Sequence, residues 1–413
     1  MHNPLDDARF DRDLLTRYAF EPAIYAQQVE GIKRGRVTGA ESIVRGRIEP
    51  APEVESVSWD PDSDSYNRAL HAGADAIAQG KVASLVLNGG LATRFGGIVK
   101  GIVNAYDERS FLACKLEDAR RTADLFGTRV PFILLNSFAT AEPTFEHLRS
   151  NNYFGLDPND VLMMDQSISV KVTPEGDPFF GDDGLPRYYA PGHGEFFAVL
   201  LRSGIFHELR RRGVEWFTFS NVDNLGATID PIILGHHVLS RADMTVEVIE
   251  KRKNAQGQYD VGGAPAILDG FLQVIEGFRF PPELAPESLK YFQTNNMIFS
   301  LAALRDTLIL PRYLVKKPVD GRSSIAFEAI TCEASGLRRS DGSRVLKLGL
   351  LQVPREGKFG RFYPVKSRED LVGLSDALRG RLETNWDHWR GVMSRLKVRS
   401  RAGQLAAAGG SGR

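Results

Sequence analysis

From Lys81 onward the chain alternates short apolar runs with polar turns and amphipathic stretches. Val82-Ala83-Ser84-Leu85-Val86-Leu87 is apolar, partly β-branched, and stops at Asn88-Gly89-Gly90, which predicts a buried strand entering a tight loop. Leu112, Leu116, Ala119, Ala123 and Phe126 then recur at helical spacing, and Gly127 supplies a stop signal. Further apolar strands are predicted over 130–135 and 216–219, the second running into Ser220-Asn221. Strand, helix and strand in alternation predict an α/β fold, an open and mostly parallel sheet with helices on both faces. The stretch 266–274 predicts a hairpin about Asp269-Gly270, an antiparallel extension near the active face. Residues 1–80 are mixed and proline-interrupted, with a helix predicted over 64–78 and a loop around Glu49-Pro50-Ala51-Pro52. They read as a lead-in that packs on a main domain at 81–372. Residues 373–413 read as a short helical segment and a frayed tail rich in Ala, Gly, Ser and Arg.

Composition narrows the class. With 413 residues, 42% of them hydrophobic and 25% charged, the chain has material for a large core, which excludes disorder, collagen and coiled coil. The 52 basic and 52 acidic side chains cancel, so general binding of nucleic acid or membrane surfaces is not expected. The cancellation leaves local charge open. Cys114 and Cys332 make neither a disulfide framework nor a zinc spacing, and a reducing compartment is the expectation. The first residues lack the basic-then-apolar pattern of a signal peptide, and no apolar run approaches the roughly 18 residues that span a bilayer. A cytoplasmic protein is expected.

The sharpest chemical signal is the loop Leu87-Asn88-Gly89-Gly90-Leu91-Ala92-Thr93-Arg94-Phe95-Gly96-Gly97-Ile98-Val99-Lys100-Gly101. It follows a buried strand, where open α/β sheets bind ligands, and its glycines let backbone N–H groups converge on an anion. Gly96 and Gly101 have P-loop spacing, but Ile102-Val103 stands where Lys and Ser/Thr are required. The other reading is a glycine-rich turn that reverses the chain. His193, between two glycines in Ala190-Pro191-Gly192-His193-Gly194-Glu195, is placed on a loop, as a ligand contact or as a satisfied loop histidine. Asp223, just past the strand at 216–219, is placed either to hold a hard divalent cation or to make an Asx turn or helix cap. His236-His237 are neighbours that face different ways on a helix and do not read as a metal pair. Cys114 and Cys332 read as packing residues.

Six ordered segments, LNGGLATRFGGIVKG, LLNSFAT, APGHGE, SNVDNLGATID, QTNNMIF and RFYPVKSREDL, resemble the eukaryotic-type UTP-glucose-1-phosphate uridylyltransferases over residues 80–372. The UDP-N-acetylhexosamine pyrophosphorylases share a looser form of the pattern. The resemblance implies a Rossmann-like sheet of the GT-A type that makes UDP-glucose and pyrophosphate from UTP and glucose 1-phosphate with Mg2+. It implies that Leu87, Asn88, Gly89 and Gly90 hold the uridine and phosphates, that Lys100 contacts the triphosphate, that Gln166 reads the uracil edge, and that Gly192 packs against the base. His193 would contact the sugar phosphate. Asn221 and Asp223 would face the sugar nucleotide, Asp223 binding the metal. Asn295, Asn296 and Glu328 would bind the hexose, and Lys366 would be the catalytic lysine, aided by Lys100.

Four departures accompany the resemblance. Ala92 and Val261 replace a glycine and a lysine of the family, Glu195 replaces an aspartate, and the proline before Lys100 is missing. If residue 92 needs positive φ, alanine there costs roughly 1 kcal/mol. Only 413 − 366 = 47 residues follow Lys366, fewer than the family's C-terminal β-helix needs, so a short extension is expected in its place and a monomer or small homo-oligomer is left open. The alternatives are a pyrophosphorylase for N-acetylglucosamine or galactose 1-phosphate and a nucleotide-sugar-binding regulator. A glycosyltransferase is disfavoured because no Asp-x-Asp follows the strand at Trp216.

Overall fold

Side chains along a strand point alternately to opposite faces, so a strand that is apolar throughout needs cover on both. The structure, a computed structural model, describes residues 7–92, 97–253, 257–365 and 367–394. Its main strands are β1 (Ile48–Pro50), β2 (Val82–Leu87), β3 (Phe132–Asn136), β4 (Val161–Asp165), β5 (Trp216–Asn221), β6 (Met244–Glu250), β7 (Ala264–Leu268), β8 (Phe271–Ile275), β9 (Tyr291–Ser300), β10 (Arg312–Val319), β11 (Arg322–Ala329) and β12 (Leu348–Gln352). The α-helices are α1 (Arg12–Arg17), α2 (Pro22–Lys33), α3 (Asp64–Ala78), α4 (Phe111–Phe126), α5 (Ala141–Ser150), α6 (Phe196–Arg202), α7 (Ile205–Arg211), α8 (Pro231–Ser240) and α9 (Arg368–Met393).

Seven strands form one sheet in the order β12-β6-β9-β5-β2-β3-β4. Val82 and Val86 of β2 join a core with Leu70 of α3, Leu116 of α4, Ile232 of α8 and Leu382 of α9. Ala83 and Leu85 of the same strand join a second core with Phe196, Leu200 and Leu209 of α6 and α7. The expected helix-covered sheet is thus present, and it is mostly parallel: β5, β2, β3 and β4 run together, as do β6 and β12. β9 is the antiparallel member between β5 and β6. The chain leaves β2 outward through β3 and β4 and returns to β5 on the other side of β2. The β2/β5 boundary is therefore the switch point at which an open sheet leaves a crevice at its carboxyl edge.

α4 is capped by Ser110, whose hydroxyl accepts from the Ala113 N–H, and it ends at Gly127 with φ of 61°. Asp269 and Gly270 both take positive φ, 50° and 79°, the pair of left-handed residues that closes a two-residue hairpin. That hairpin, β7–β8, belongs to a separate three-stranded sheet completed by β1 and does not extend the main one. The expected loop at 49–52 is accordingly part strand, with Pro50 at its end, where a missing N–H costs least. The C-terminal helix starts at 368 and is longer than expected. Ser367 and Asp370 form its capping box, and its Leu378, Trp386 and Trp389 are buried on α4's side of the sheet. The tail expected to fray, the last fifteen or so residues, lies within 395–413, outside the described residues.

Phe10, just before α1, with Leu15 of α1 and Tyr25 of α2, packs on Val170, Val172, Leu314 and Phe327. No helix among the described residues is long and apolar enough to cross a membrane. Cys114 and Cys332 are buried and free, and burial pushes the Cys114 thiol up to about 12, which fits packing.

His237 is fully buried, with its ring on Thr245 Oγ1 (2.7 Å) and Ser300 Oγ (3.1 Å), and burial lowers its pKa to about 4. The unfolded chain, titrating near 6.5, then binds this proton first, so His237 withdraws stability as pH falls from about 6.5 toward 4. In denaturant titrations at pH 4.5 and 6.5, His237→Gln should lose less stability on acidification than the wild type, by up to about 1.4 kcal/mol per pH unit. Equal losses would contradict this.

Candidate functional site

Register places the carboxyl ends of the central strands side by side: Leu87 pairs with Asn221 on one flank and with Leu135 on the other, and Asn136 with Asp165. The loop after β2 is pinned from below. Asn88 is buried, its N–H donates to the Leu135 carbonyl (2.8 Å), and its amide donates to Asn136 Oδ1 (2.9 Å) and Thr144 Oγ1 (2.8 Å). The Ser137 hydroxyl donates to the Gly89 carbonyl (2.8 Å). A Cβ on Gly89 would stand 2.3 Å from Gln166 Nε2, so the bare backbone is what lets the loop close on Gln166. Leu91-Ala92 pairs antiparallel with Ile98-Val99, an arm that folds back and delivers Lys100. Ala92 is in this extended pairing and not at positive φ, so the expected cost of alanine does not arise. Residues 93–96, including Gly96, lie outside the described residues.

Lys100 Nζ forms an ion pair with Asp223, both largely shielded from solvent. Beside them Asn221 Oδ1 accepts from Asn295 Nδ2 (2.9 Å). Asn295 has φ of 59° and lies where the β6–β9 register shifts between Val246 and Val248, a bulge that re-aims its side chain. Among the described residues its buried Oδ1 has no hydrogen-bond partner, nor does Oε1 of Gln166. Gly192 takes φ of 94°, and a Cβ there would stand 2.5 Å from the Ala329 carbonyl. This close approach sets the His193 ring on Thr331 Oγ1 at 2.7 Å. Burial lowers the His193 pKa to about 4, against a small opposing pull from Glu328, so the imidazole is neutral near pH 7. Glu328 is paired with Lys317.

A cleft of about 350 Å³ is lined by Leu87, Gly89, Gly90, Lys100, Gln166, Gly192, His193, Asn221, Asp223 and Glu328. Most residues singled out from sequence therefore meet in one place. Asn88 stands behind the loop. Asn296 does not reach the cleft: it is buried, donates to Glu247 Oε2 and the Arg361 carbonyl (both 3.2 Å), and accepts from Asn224. Lys366 lies outside the described residues, between buried Val365 and the α9 cap Ser367. Val261 is exposed. Glu195 is buried, accepts from the Ser167 N–H (2.9 Å) and pairs with Arg312 (2.7 Å), so the longer side chain braces the Gln166-Ser167 turn.

Sequence reasoning missed the layer beneath the cleft. Arg361 and Glu247 form a buried two-pronged pair (2.8 and 2.5 Å). Arg361 also donates to the Thr228 carbonyl (3.1 Å), its own carbonyl accepts from Asn224, and Asn224 Oδ1 accepts from the Tyr363 N–H (2.9 Å). Lys115, buried in α4, donates to Ser220 Oγ (3.0 Å) and the Ala227 carbonyl (2.8 Å), and burial lowers its pKa to about 8. One signal was present: Lys115 lies on the apolar stripe of α4, three after Leu112 and four before Ala119.

A family profile described as UTP–glucose-1-phosphate uridylyltransferase matches residues 38–381. The chain is 30% identical over 335 residues to a probable UTP–glucose-1-phosphate uridylyltransferase of Schizosaccharomyces pombe, covering 77% of this chain and 64% of that one. It is 30% identical over 307 residues to the UTP–glucose-1-phosphate uridylyltransferase of Solanum tuberosum, covering 71% and 60%. It thus spans less than two thirds of the length of these relatives. Among solved structures, a UDP-glucose phosphorylase of Trypanosoma brucei superposes with a TM-score of 0.67 at 22% identity, over 86% of this chain and 74% of that one. A UDP-N-acetylglucosamine pyrophosphorylase of the same organism gives 0.68 at 19%, over 88% and 78%. Both show the same fold.

Removing one partner of a buried ion pair leaves an uncompensated charge, which costs about 3–5 kcal/mol. Glu247→Gln should lower unfolding free energy by that order in denaturant titrations, and Glu247→Leu with Arg361→Met should cost less than the two single changes summed. Additive losses would contradict the pair.

Proposed function

The chain belongs to the UTP–glucose-1-phosphate uridylyltransferase family, and from its cleft we propose that it joins UTP and glucose 1-phosphate into UDP-glucose, releasing pyrophosphate. The observation that carries this reading is the meeting, at the β2/β5 switch point, of a glycine loop, an inward-facing Gln166 and the Lys100–Asp223 pair. Each part has a task in nucleotidyl transfer. Gly90, with nothing within 4 Å of where a Cβ would stand, leaves room for a flat base, and the Oε1 acceptor of Gln166, without a partner among the described residues, suits the N–H on the uracil edge. Asn295 and Asn221 offer acceptors and donors to hexose hydroxyls, with Glu328 beside them.

The reaction is an in-line displacement. An oxygen of the sugar 1-phosphate attacks the α-phosphorus of UTP, and the bond to the pyrophosphate oxygen breaks on the opposite side. Both reactants are anions, so the protein must align them and offset their charge, with no protein nucleophile required. Lys100 is placed to do this at the glycine loop, and Lys366 is assigned the transferring phosphate. Neutral His193, held by Thr331, serves as a hydrogen-bonding contact to the sugar phosphate and not as a charge.

A magnesium ion would fit here with protein and substrate sharing its coordination. Among the described residues no group of three or more His, Cys, Asp or Glu side chains is arranged to hold a metal ion, so an ion here would be held by Asp223 together with substrate phosphates, the mode in which Mg2+ is commonly held. Bound there, it would offset the phosphate charge that develops during transfer. Asp223 is already paired with Lys100, so substrate phosphates arriving at Lys100 would free its carboxylate for the ion.

Incubation with UTP, Mg2+ and glucose, galactose or N-acetylglucosamine 1-phosphate should release pyrophosphate fastest with glucose 1-phosphate, and a chelator should stop it. Release with none of the sugars would overturn the reading. Lys366→Ala should lower turnover by at least about 100-fold, the order seen when one charge-stabilising group is removed, with an unchanged melting temperature. Near-normal turnover in the folded variant would remove Lys366 from the assignment.

A further inference from the structure

Lys115 puts a cation where the apolar stripe of α4 calls for a hydrocarbon. It is 5% exposed, and taking an ammonium out of water is costly unless its hydrogen bonds are met inside. Leu or Met would fill the stripe without that cost, so packing does not account for the charge. Its two hydrogen bonds do. Ser220 precedes Asn221 and Asp223, and Ala227 follows them, so one ammonium ties together both ends of the loop that brings these residues to the cleft. One turn further along α4, Asp118 accepts the Ile229 N–H (2.8 Å) and the Trp386 indole N–H (3.3 Å), extending the same clamp. The N-terminal end of α4 is joined to the glycine loop, because the Phe111 N–H donates to the Val103 carbonyl (3.0 Å) just beyond Lys100.

We propose that Lys115 is a positioning residue for nucleotidyl transfer: from beneath the sheet edge it closes the 220–227 loop and fixes Asn221 and Asp223 against the glycine loop, without touching substrate. The proposal rests on the function proposed above. The charges that act on Lys115 are Asp118 on α4, Asp223 on the loop, Glu247 on β6 and Arg361 beyond β12, so acidic groups on three elements hold the cation in place.

Lys115→Met keeps the length and apolar stem and removes the charge and both donors. The variant should melt as a folded protein, and its affinity for UTP, measured by calorimetry without Mg2+, should fall far less than its turnover. Its kcat/KM for glucose 1-phosphate should fall by about 100-fold, the order expected when reacting groups are misplaced by about an ångström. Backbone amides at 221–227 should exchange hydrogen faster than in the wild type, while those at 87–91 should not. Ser220→Ala, which removes one of the two acceptors, should show a weaker form of the same pattern and serves if Lys115→Met fails to fold. Unchanged exchange at 221–227, or UTP affinity falling in step with turnover, would overturn the proposal. Absence of transfer in the wild type would defeat the proposed function alone, and the exchange comparison would still decide the role of Lys115.

Discussion

The buried pair between Arg361 and Glu247 is the constraint on which the cleft depends. Glu247 comes from the middle of β6 and Arg361 from the segment beyond β12, and neither meets solvent. Through Thr228, Asn224 and the Tyr363 N–H, the same arginine segment is stitched to the loop after β5. Two pieces of chain far apart in sequence, the loop bearing Asp223 and the segment leading to Lys366, are thereby set relative to one another. A hydrophobic contact would allow them to slide, whereas a two-pronged guanidinium–carboxylate pair fixes distance and orientation together.

A formal charge of zero over the whole chain conceals this arrangement. The layer under the cleft alternates cations and anions, Lys115 with Asp118 and Arg361 with Glu247, so its sum is close to neutral. The cleft itself offers Lys100 held by Asp223. In the proposed function this pair would keep Lys100 oriented and part-shielded until a substrate phosphate arrives and takes the place of Asp223.

What the sequence shows and what it hides follow from the range of the interactions. Strand β2, helix α4 with its Gly127 stop and the Asp269-Gly270 turn are set by neighbours within a few positions, and they are legible. The meeting of Gln166, Gly192 and Asn221 is legible only through resemblance, because strand order and register decide it. β9 hides its antiparallel pairing behind the polar Gln293-Thr294-Asn295-Asn296 stretch, and the two asparagines part company there: at a bulge Asn295 goes to Asn221, while Asn296 goes to Glu247. Glu195 reads as a departure, but its extra methylene brings the carboxylate to both Ser167 and Arg312. Lys115 alone left a trace, as a charge on an apolar stripe.

In the proposed function the cleft supplies alignment and charge, and no side chain among the described residues is given the role of a covalent nucleophile. The stereochemical course at the α-phosphorus tests this most directly. With UTP made chiral at that phosphorus by sulfur substitution, a single in-line displacement predicts UDP-glucose of inverted configuration. Retention would require two displacements through a nucleotidyl-enzyme and would contradict direct transfer.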